Sequence, residues 1–215
     1  MAVELYNATG SPPCTFVRVV AKKVGVELTL HDLNLMAKEQ LNPEFVKLNP
    51  QHTVPTLNDN GFVLWESRAI GMYLVEKYAP ECSLYPKDVQ KRATVNRMLF
   101  FESGTMLPAQ MAYFRPKWFK GQEPTADLKE AYDKALATTV TLLGDKKFLC
   151  GDHVTLPDIG LALHSGSSDW GLRVRGPGQV PPAQGVLPAF QEGLPRIRRG
   201  GFRSPTAHPG HGGAG

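Results

Sequence analysis

The sequence predicts an α/β domain followed by an all-α domain, and two patterns carry that prediction. Up to about residue 80, short strand-like runs separated by turn residues alternate with helical periodicities. After about residue 88, the apolar residues recur at helical spacing only. Composition changes between these parts, where Pro80 and Pro86 flank a linker. We therefore divide the chain into residues 1–80, a linker at 81–87 and a helical part at 88–163.

The first part predicts the order βαβ-(α)-ββα, which is thioredoxin-like. Pro12 and Pro13 suit a first helical turn, where no backbone donor is lost, and Gly25 ends that helix. Asp59-Asn60-Gly61 is typical of a hairpin turn. The predicted elements are strand Val3–Tyr6, a helix from Pro12 to Val24, strand Leu28–His31, short helix Pro43–Leu48, hairpin strands Thr56–Asn58 and Phe62–Trp65, and helix Ser67–Tyr78.

The second part predicts helices throughout. Residues 88–119 form a long helical segment with a bend predicted at Pro108. Thr155-Leu156-Pro157-Asp158 is typical of a capping box, with the Thr155 hydroxyl on an early amide and Asp158 reaching back, at the start of an apolar helix. Between them, an amphipathic helix starting at Leu128 presents one face made of Ala131, Tyr132, Ala135, Thr139, Leu142 and Leu143.

The net charge of +4 belongs entirely to the end of the chain. Residues 1–163 carry 18 basic and 18 acidic side chains, whereas residues 164–215 carry 6 Arg, one Asp and one Glu, which gives 6 − 2 = +4. These arginines are scattered among glycines and prolines, so no folded basic face for nucleic acid is expected. No run approaches the roughly 18 apolar residues of a membrane helix, and the start lacks a signal sequence.

The three cysteines, Cys14, Cys82 and Cys150, show neither metal-ligand nor disulfide spacing. This predicts reduced thiols, no metal and a cytoplasmic location.

Residues 164–215 form an atypical tail. The capping box predicts a buried helix, yet the tail contains 12 Gly and 7 Pro in 52 residues. Such a density of helix-breaking residues predicts disorder and an incomplete helical domain. Two origins stay open: an altered reading frame or alternative exon, which we favour because the tail begins inside the capped helix, and an authentic disordered tail. In the first case we expect exposed apolar surface on the fourth and fifth helices and poor solubility.

Three motifs in the first part predict a site for a small anionic thiol peptide: Ser11-Pro12-Pro13-Cys14, Gln51-His52-Thr53-Val54-Pro55 and Glu66-Ser67-Arg68-Ala69-Ile70. They place a hydroxyl at a helix start, a predicted cis-proline before a strand, and an acidic, hydroxyl-bearing helix start after a hairpin. Taken singly, each has a simpler interpretation as a helix cap or a surface loop. Cys14 is a rival nucleophile, although its position favours a small buried residue.

In these motifs the chain closely resembles the N-terminal domain of insect glutathione transferases of the delta and epsilon classes, and the resemblance covers about residues 3–163. It implies the glutathione transferase fold and glutathione as co-substrate. It also implies a cytosolic homodimer, built chiefly from the fourth and fifth helices, that joins glutathione sulfur to electrophilic carbon of small apolar xenobiotics. Ser11 then donates a hydrogen bond to the thiolate. A noncatalytic glutathione-fold protein, binding apolar ligands or partners, is the alternative.

The resemblance also assigns the ligand contacts. The Val54 backbone, turned outward by cis Pro55, pairs with the cysteinyl portion. The Ser67 amide and hydroxyl bind the γ-glutamyl carboxylate, Glu66 meets its ammonium group, and Arg68 adds charge. His52 and Gln40 are expected at the glycyl carboxylate, with Gln40 standing where many delta-class relatives have histidine, and Glu102 is expected to reach the partner subunit's glutathione. The acceptor pocket is assigned to Leu107, Met111, Tyr113, Phe114 and Phe119, for which plain core is the alternative.

Overall fold

The computed structural model describes residues 3–164, apart from the side chains of residues 118–120 and 164. The predicted tail at 164–215 therefore lies outside the described residues, except for the backbone of the last helical residue.

The N-terminal part is a four-stranded sheet with helices on it, and the predicted order is confirmed. Strand order is β2-β1-β3-β4, with β1 parallel to β2 and antiparallel to β3, and β3 antiparallel to β4. The parallel pair requires the crossover helix α1 between its strands. In chain order the elements are β1 (Val3–Asn7), α1 (Pro12–Lys23), β2 (Leu28–Asp32), α2 (Pro43–Leu48), β3 (Thr56–Asp59), β4 (Phe62–Trp65) and α3 (Ser67–Tyr78).

Two turns in this part follow from residues that accept positive φ. Gly25 has φ of 74° just after α1, where the helix ends. Asn60 and Gly61 have φ of 55° and 91°, which is the conformation of a two-residue hairpin turn. Because that turn needs only two residues, β3 continues through Asp59, one residue beyond the prediction.

The second part is helical, and the long segment after the linker is interrupted earlier than predicted. It consists of α4 (Val89–Phe101), a π-helical turn (Glu102–Met106) and α5 (Leu107–Lys120). Pro108 stands in the first turn of α5, so the proline ring follows the interruption instead of starting it. A proline has no N–H to donate, and the wider turn before it accommodates that loss.

Helix α6 (Ala126–Leu143) buries most of its predicted face. Tyr132, Ala135 and Thr139 are buried as expected, and Leu136 joins them, while Ala131 is exposed. Its buried residues belong to a second core, which also contains Met98, Met106, Phe114, Leu149 and Leu161.

Helix α7 (Leu156–His164) connects the two cores. Leu156 and Ile159 pack in the core of the N-terminal part, while Leu161 packs in the second core. The start of α7 is fixed by Asp158, which accepts from the Thr155 N–H at 2.8 Å, as predicted. The Thr155 hydroxyl donates to the same carboxylate at 2.7 Å, whereas the sequence predicted a bond to an early amide. The Thr155 hydroxyl donates to the carboxylate because the buried carboxylate oxygens need hydrogen-bond donors.

A buried carboxylate also joins β3 to α3. Asp59 is 2% exposed and accepts hydrogen bonds from Tyr73, Lys77 and Tyr78 at 2.6 to 2.7 Å. Burial by itself raises the pKa of Asp59, but the hydrogen bonds from Lys77, Tyr78, Tyr73 and Asn60 outweigh it and hold that pKa far below its ordinary value.

Asp59→Asn is therefore expected to lower the free energy of unfolding at neutral pH by about 2 to 3 kcal/mol. Because the folded-state pKa is depressed, the stabilisation is present above the unfolded value of about 3.9 and is lost as pH falls below it. Chemical denaturation from about pH 7 to pH 2 should show a weaker acid dependence in the variant. Glu81→Gln, which breaks an exposed ion pair with Lys87, is the control. An equal acid dependence in Asp59→Asn and the unsubstituted protein would contradict this role.

Candidate active site

The strand register brings the three motifs to one edge of the sheet. Tyr6 near the end of β1 pairs with Thr56 at the start of β3, and Thr56 pairs with Trp65 at the end of β4. The segments that carry Ser11, Pro55 and Glu66 therefore leave the sheet at the same edge. The end of β2 also lies there, because Asn7 pairs with Asp32, and the segment that follows β2 carries Gln40.

Ser11 is the N-cap of α1 and is partly exposed. Its Oγ accepts from the Cys14 N–H at 3.5 Å, a long hydrogen bond, and its carbonyl accepts from the backbone N–H and the hydroxyl of Thr15. Ser11 therefore caps α1, as the simpler interpretation of its motif predicts. This cap is compatible with catalysis, since a hydroxyl accepts with a lone pair and donates with its hydrogen.

Cys14 is fully buried in the first turn of α1. Burial raises the pKa of its thiol, and this outweighs the opposite effect of the Ser11 hydroxyl. An inaccessible thiol with a raised pKa is a poor nucleophile. The geometry agrees with the interpretation of Cys14 as a small core residue.

The loop before β3 contains the predicted cis peptide bond between Val54 and Pro55. Its shape is set by Asn49, a buried residue that the sequence reasoning missed, although Asn49-Pro50 is a turn signal. Asn49 Nδ2 donates to the Thr53 carbonyl at 3.1 Å and to Thr56 Oγ1 at 2.9 Å.

The two residues assigned to the glycyl carboxylate lie on either side of this region. His52 is exposed, with φ of 45°, and its N–H donates to the Asn49 carbonyl at 2.8 Å. Gln40 is partly exposed, and its Oε1 is buried with no hydrogen-bond partner among the residues that the structure describes.

The start of α3 combines an unusual backbone with an N-terminal serine. Glu66 has φ of 69°, in the left-handed region that non-glycine residues seldom occupy. Ser67 is the first residue of α3 and is 9% exposed. This backbone conformation is unfavourable for a residue with a side chain, and residues that adopt it are often found at ligand sites. Here it aims the first turn of α3 at the edge where the three motifs meet.

Arg68 connects this helix start to the helical part. Its Nε donates to Glu102 Oε2 at 2.7 Å, its Nη2 to Glu102 Oε1, and its Nη1 to Ser67 Oγ at 2.9 Å. The guanidinium carbon lies 4.6 Å from the centre of the Phe16 ring. A Cβ on Gly160 of α7 would come within 3.1 Å of Arg68 Nη2, so the glycine provides the room for this pair.

The expectation that Glu102 reaches the partner subunit's glutathione stays a prediction; within this chain Glu102 is buried. Its side chain is 2% exposed in a single chain, and both carboxylate oxygens face Arg68. The π-helical turn begins at this residue. Glu102 therefore contacts the start of α3 through Arg68, across 34 residues of sequence.

The residues assigned to the acceptor pocket differ in their exposure. Phe114 is 6% exposed, belongs to the second core and packs edge-on against Tyr132. Tyr113 is partly exposed and stacks on Tyr132 at 5.2 Å, so plain core stays the alternative for both residues. Leu107 and Met111 are partly exposed on α5. The side chain of Phe119 lies outside the described residues.

Two kinds of feature are absent from the described residues. Within residues 3–164, no cluster of three or more His, Cys, Asp or Glu side chains has the geometry to hold a metal ion. None of the helices in that range is both long and apolar enough to cross a membrane.

Comparison with known proteins identifies the family. A family model described as the N-terminal domain of glutathione S-transferase matches residues 1–76. Glutathione S-transferase D7 of Drosophila melanogaster is 41% identical over 169 residues, which are 78% of this chain and 75% of that protein. The chain belongs to the glutathione S-transferase family. The predicted family, the enzyme type and glutathione as the family's co-substrate are thereby confirmed.

The chain is similar to solved structures of insect glutathione transferases of the two predicted classes. A delta-class enzyme of Nilaparvata lugens is 38% identical, with a TM-score of 0.72, and the alignment covers 89% of this chain and 94% of that one. An epsilon-class enzyme of the housefly, Musca domestica, is 29% identical, with a TM-score of 0.72, and the alignment covers 89% and 97%. The glutathione transferase fold is therefore confirmed for the described part.

Proposed function

We propose that this glutathione transferase binds glutathione at the sheet edge where its three motifs meet and uses Ser11 to stabilise the thiolate. The observation that carries the proposal is the shared position of Ser11, cis Pro55 and the start of α3 at that edge. A donor beside a helix N-terminus favours the charged form of a thiol over its neutral form. Ser11 combines the two, because it caps α1 with a hydroxyl that keeps its own hydrogen.

The γ-glutamyl end of glutathione is proposed to bind at the start of α3. A helix N-terminus offers unpaired N–H groups and a positive dipole end to a carboxylate. The Ser67 amide and hydroxyl supply the donors, and the Glu66 carboxylate meets the ammonium group. Arg68 acts mainly by orienting Ser67: its Nη1 occupies an acceptor position of Ser67 Oγ, which leaves the serine hydrogen to donate to the ligand.

The rest of the tripeptide is proposed to lie along the loop before β3. The Val54 N–H and C=O pair with the cysteinyl backbone, as an added strand pairs with a sheet edge. His52 and Gln40 bind the glycyl carboxylate. The amide of Gln40 donates without charge, so this contact is expected to be weaker and independent of pH.

The acceptor is proposed to be a small apolar molecule with an electrophilic carbon. The partly exposed Leu107 and Met111 of α5 supply apolar lining. In the reaction, the thiolate sulfur forms a bond to that carbon, and one of two bonds breaks. Either the leaving group departs with its bonding electrons, or the π electrons of an activated double bond shift onto its electron-withdrawing group, and the product then takes up a proton from solvent. Ser11 does not attack; it donates a hydrogen bond throughout. Detoxification of xenobiotics is the corresponding role.

Assembly and location complete the proposal. Val89 and Phe100 of α4 are 79% and 73% exposed, and large apolar side chains on one helix support association. We propose a homodimer formed chiefly by α4 and α5. The three cysteines are free thiols, which suits a reducing compartment such as the cytoplasm.

Glu66→Gln combined with Ser67→Ala should weaken glutathione binding by about 1 to 3 kcal/mol, because a contact to each charge of the γ-glutamyl end is lost. Isothermal titration with glutathione measures the change. Ser67→Ala alone should have the smaller effect, since its backbone N–H remains. Thermal unfolding controls for stability. Unchanged affinity in a folded double variant would place the γ-glutamyl end elsewhere.

Turnover separates the enzyme from its noncatalytic alternative. Conjugation of a generic aromatic electrophile is followed together with glutathione affinity. If the protein is an enzyme, we expect both glutathione binding and conjugation of the electrophile. Glutathione binding without conjugation of any of several electrophile classes would favour the alternative, in which the fold serves as a binding or interaction module.

A further inference from the structure

We propose that Asp32, at the end of β2, is a positioning residue for Ser11, and that its carboxylate fixes the loop that presents the Ser11 hydroxyl. The inference rests on the proposed function, because it concerns the same hydroxyl. Asp32 belongs to none of the three motifs. It comes to the site through the parallel pairing of β1 with β2.

The loop that carries Ser11 needs an anchor. Residues 8–11 join β1 to α1 and include Gly10, which has φ of 85° and is exposed. The Ser11 N–H donates to the Ala8 carbonyl at 3.1 Å, so the serine moves with the residues just before it. A glycine-containing turn has a large choice of conformations, and the place of the hydroxyl depends on what fixes its start.

Asp32 fixes that start from two sides. Asn7 Nδ2 donates to Asp32 Oδ1, and the Thr9 hydroxyl donates to the same oxygen at 3.4 Å. The Asn7 carbonyl also accepts from the Leu33 N–H at 2.8 Å. One carboxylate oxygen therefore receives a donor from the last residue of β1 and another from inside the loop.

The choice of residue at position 7 supports an anchor over ordinary packing. Asn7 is fully buried, and its Oδ1 has no hydrogen-bond partner among the described residues. Burying an amide that is only half satisfied is unfavourable compared with an apolar side chain of similar size. What Asn7 contributes in return is its bond to Asp32.

The charge of Asp32 does not favour a thiolate near the start of α1. Burial is the main cause of the raised pKa of the Cys14 thiol, and Asp32 raises it further, while Arg18 and the Ser11 hydroxyl lower it. The carboxylate is thus close enough to the first turn of α1 to disfavour a thiolate there. On charge alone Asp32 opposes the proposed chemistry, so its benefit to the site is geometric.

The test compares Asp32→Ala with Asp32→Asn, which remove the same charge but differ in the acceptor. The pKa of the bound glutathione thiol is measured from its ultraviolet thiolate absorbance, together with kcat and KM. Asp32→Ala should raise that pKa by about one unit and lower kcat near neutral pH about tenfold. Asp32→Asn keeps an oxygen at the anchor and loses the charge, so the pKa should stay or fall. Thr9→Val should also raise the pKa of the bound glutathione thiol. Glu27→Ala, at the opposite end of β2 and exposed, is the charge-matched control and should change neither value.

Two results would overturn the anchor. Equal lowering of the thiol pKa in both Asp32 variants would show that the residue acts by charge alone. An unchanged pKa in both, or the same change in Glu27→Ala, would show that it has no specific effect on the site. Ser11→Ala, measured in parallel, keeps the two proposals apart. If Ser11→Ala leaves the thiol pKa unchanged, the proposed function fails; if Ser11→Ala raises it and Asp32→Ala does not, only the anchor fails.

Discussion

Replacing Ser11 with alanine is expected to lower kcat at neutral pH by roughly 10- to 100-fold while changing glutathione affinity little. A hydrogen bond to a charged group contributes about 1.5 to 3 kcal/mol, and the Ser11 bond is made to the sulfur only when it is charged. The loss should shrink as pH rises, because solution hydroxide then ionises the bound thiol without help from the protein. The pH dependence of kcat at saturating glutathione measures it.

Cys14→Ala is the matched control, since it removes the other candidate nucleophile in the same helical turn. The buried thiol makes no contribution to the proposed chemistry, so turnover per folded molecule should stay close to that of the unsubstituted protein. The cavity should cost about 1 kcal/mol in unfolding free energy. Full turnover in Ser11→Ala together with lost turnover in Cys14→Ala would reverse the roles assigned to these residues.

Glu102→Ala is expected to have the largest effect on stability. It leaves the Arg68 guanidinium, whose side chain is 11% exposed, without its bidentate partner at the contact between the two parts. Removing one partner of a buried ion pair typically costs about 3 to 5 kcal/mol. Because Arg68 also orients the Ser67 hydroxyl, glutathione affinity should fall in the molecules that remain folded. Chemical denaturation and titration of glutathione measure the two effects.

An exposed ion pair provides the comparison for this variant. Lys47→Gln breaks a contact with Glu44 in which both side chains are more than 70% exposed, and its effect should be below about 1 kcal/mol. Glu102→Gln, which keeps the shape and one acceptor, should lie between the two. Equal stability of Glu102→Ala and Lys47→Gln would show that the Arg68 pair is energetically unimportant. Loss of stability with unchanged glutathione affinity would show that the Arg68–Glu102 pair stabilises the fold without contributing to glutathione binding.

Elements whose signals are local were predicted to the residue. The bounds of α2 and α3 agree with the sequence because Asn42-Pro43 and Glu66-Ser67 mark their starts within one turn. The cis peptide bond before β3 was likewise predicted from a short motif. The π-helical turn was not, since no residue type in Glu102–Met106 favours it over an α-helix.

Contacts between distant residues account for what the sequence could not show at the site. The pairing of Arg68 with Glu102 depends on how the two parts of the chain pack, so no local pattern in the sequence could predict it. Asn7 and Asp32 meet because two strands are parallel, and no local pattern marks either of them. Tyr113 and Phe114 have the spacing of a pocket as well as of a core, and their contacts with Tyr132 could not be predicted from that spacing.

Titration of the bound thiol shows whether this protein holds glutathione as a thiolate through Ser11. Ultraviolet absorbance of the thiolate is followed against pH in the complex of glutathione with the unsubstituted protein. We expect the bound thiol to ionise at least one unit below the value of about 8.5 that is ordinary for a cysteine thiol, and to return toward that value in Ser11→Ala. A bound thiol that ionises at the same pH as free glutathione would contradict this expectation.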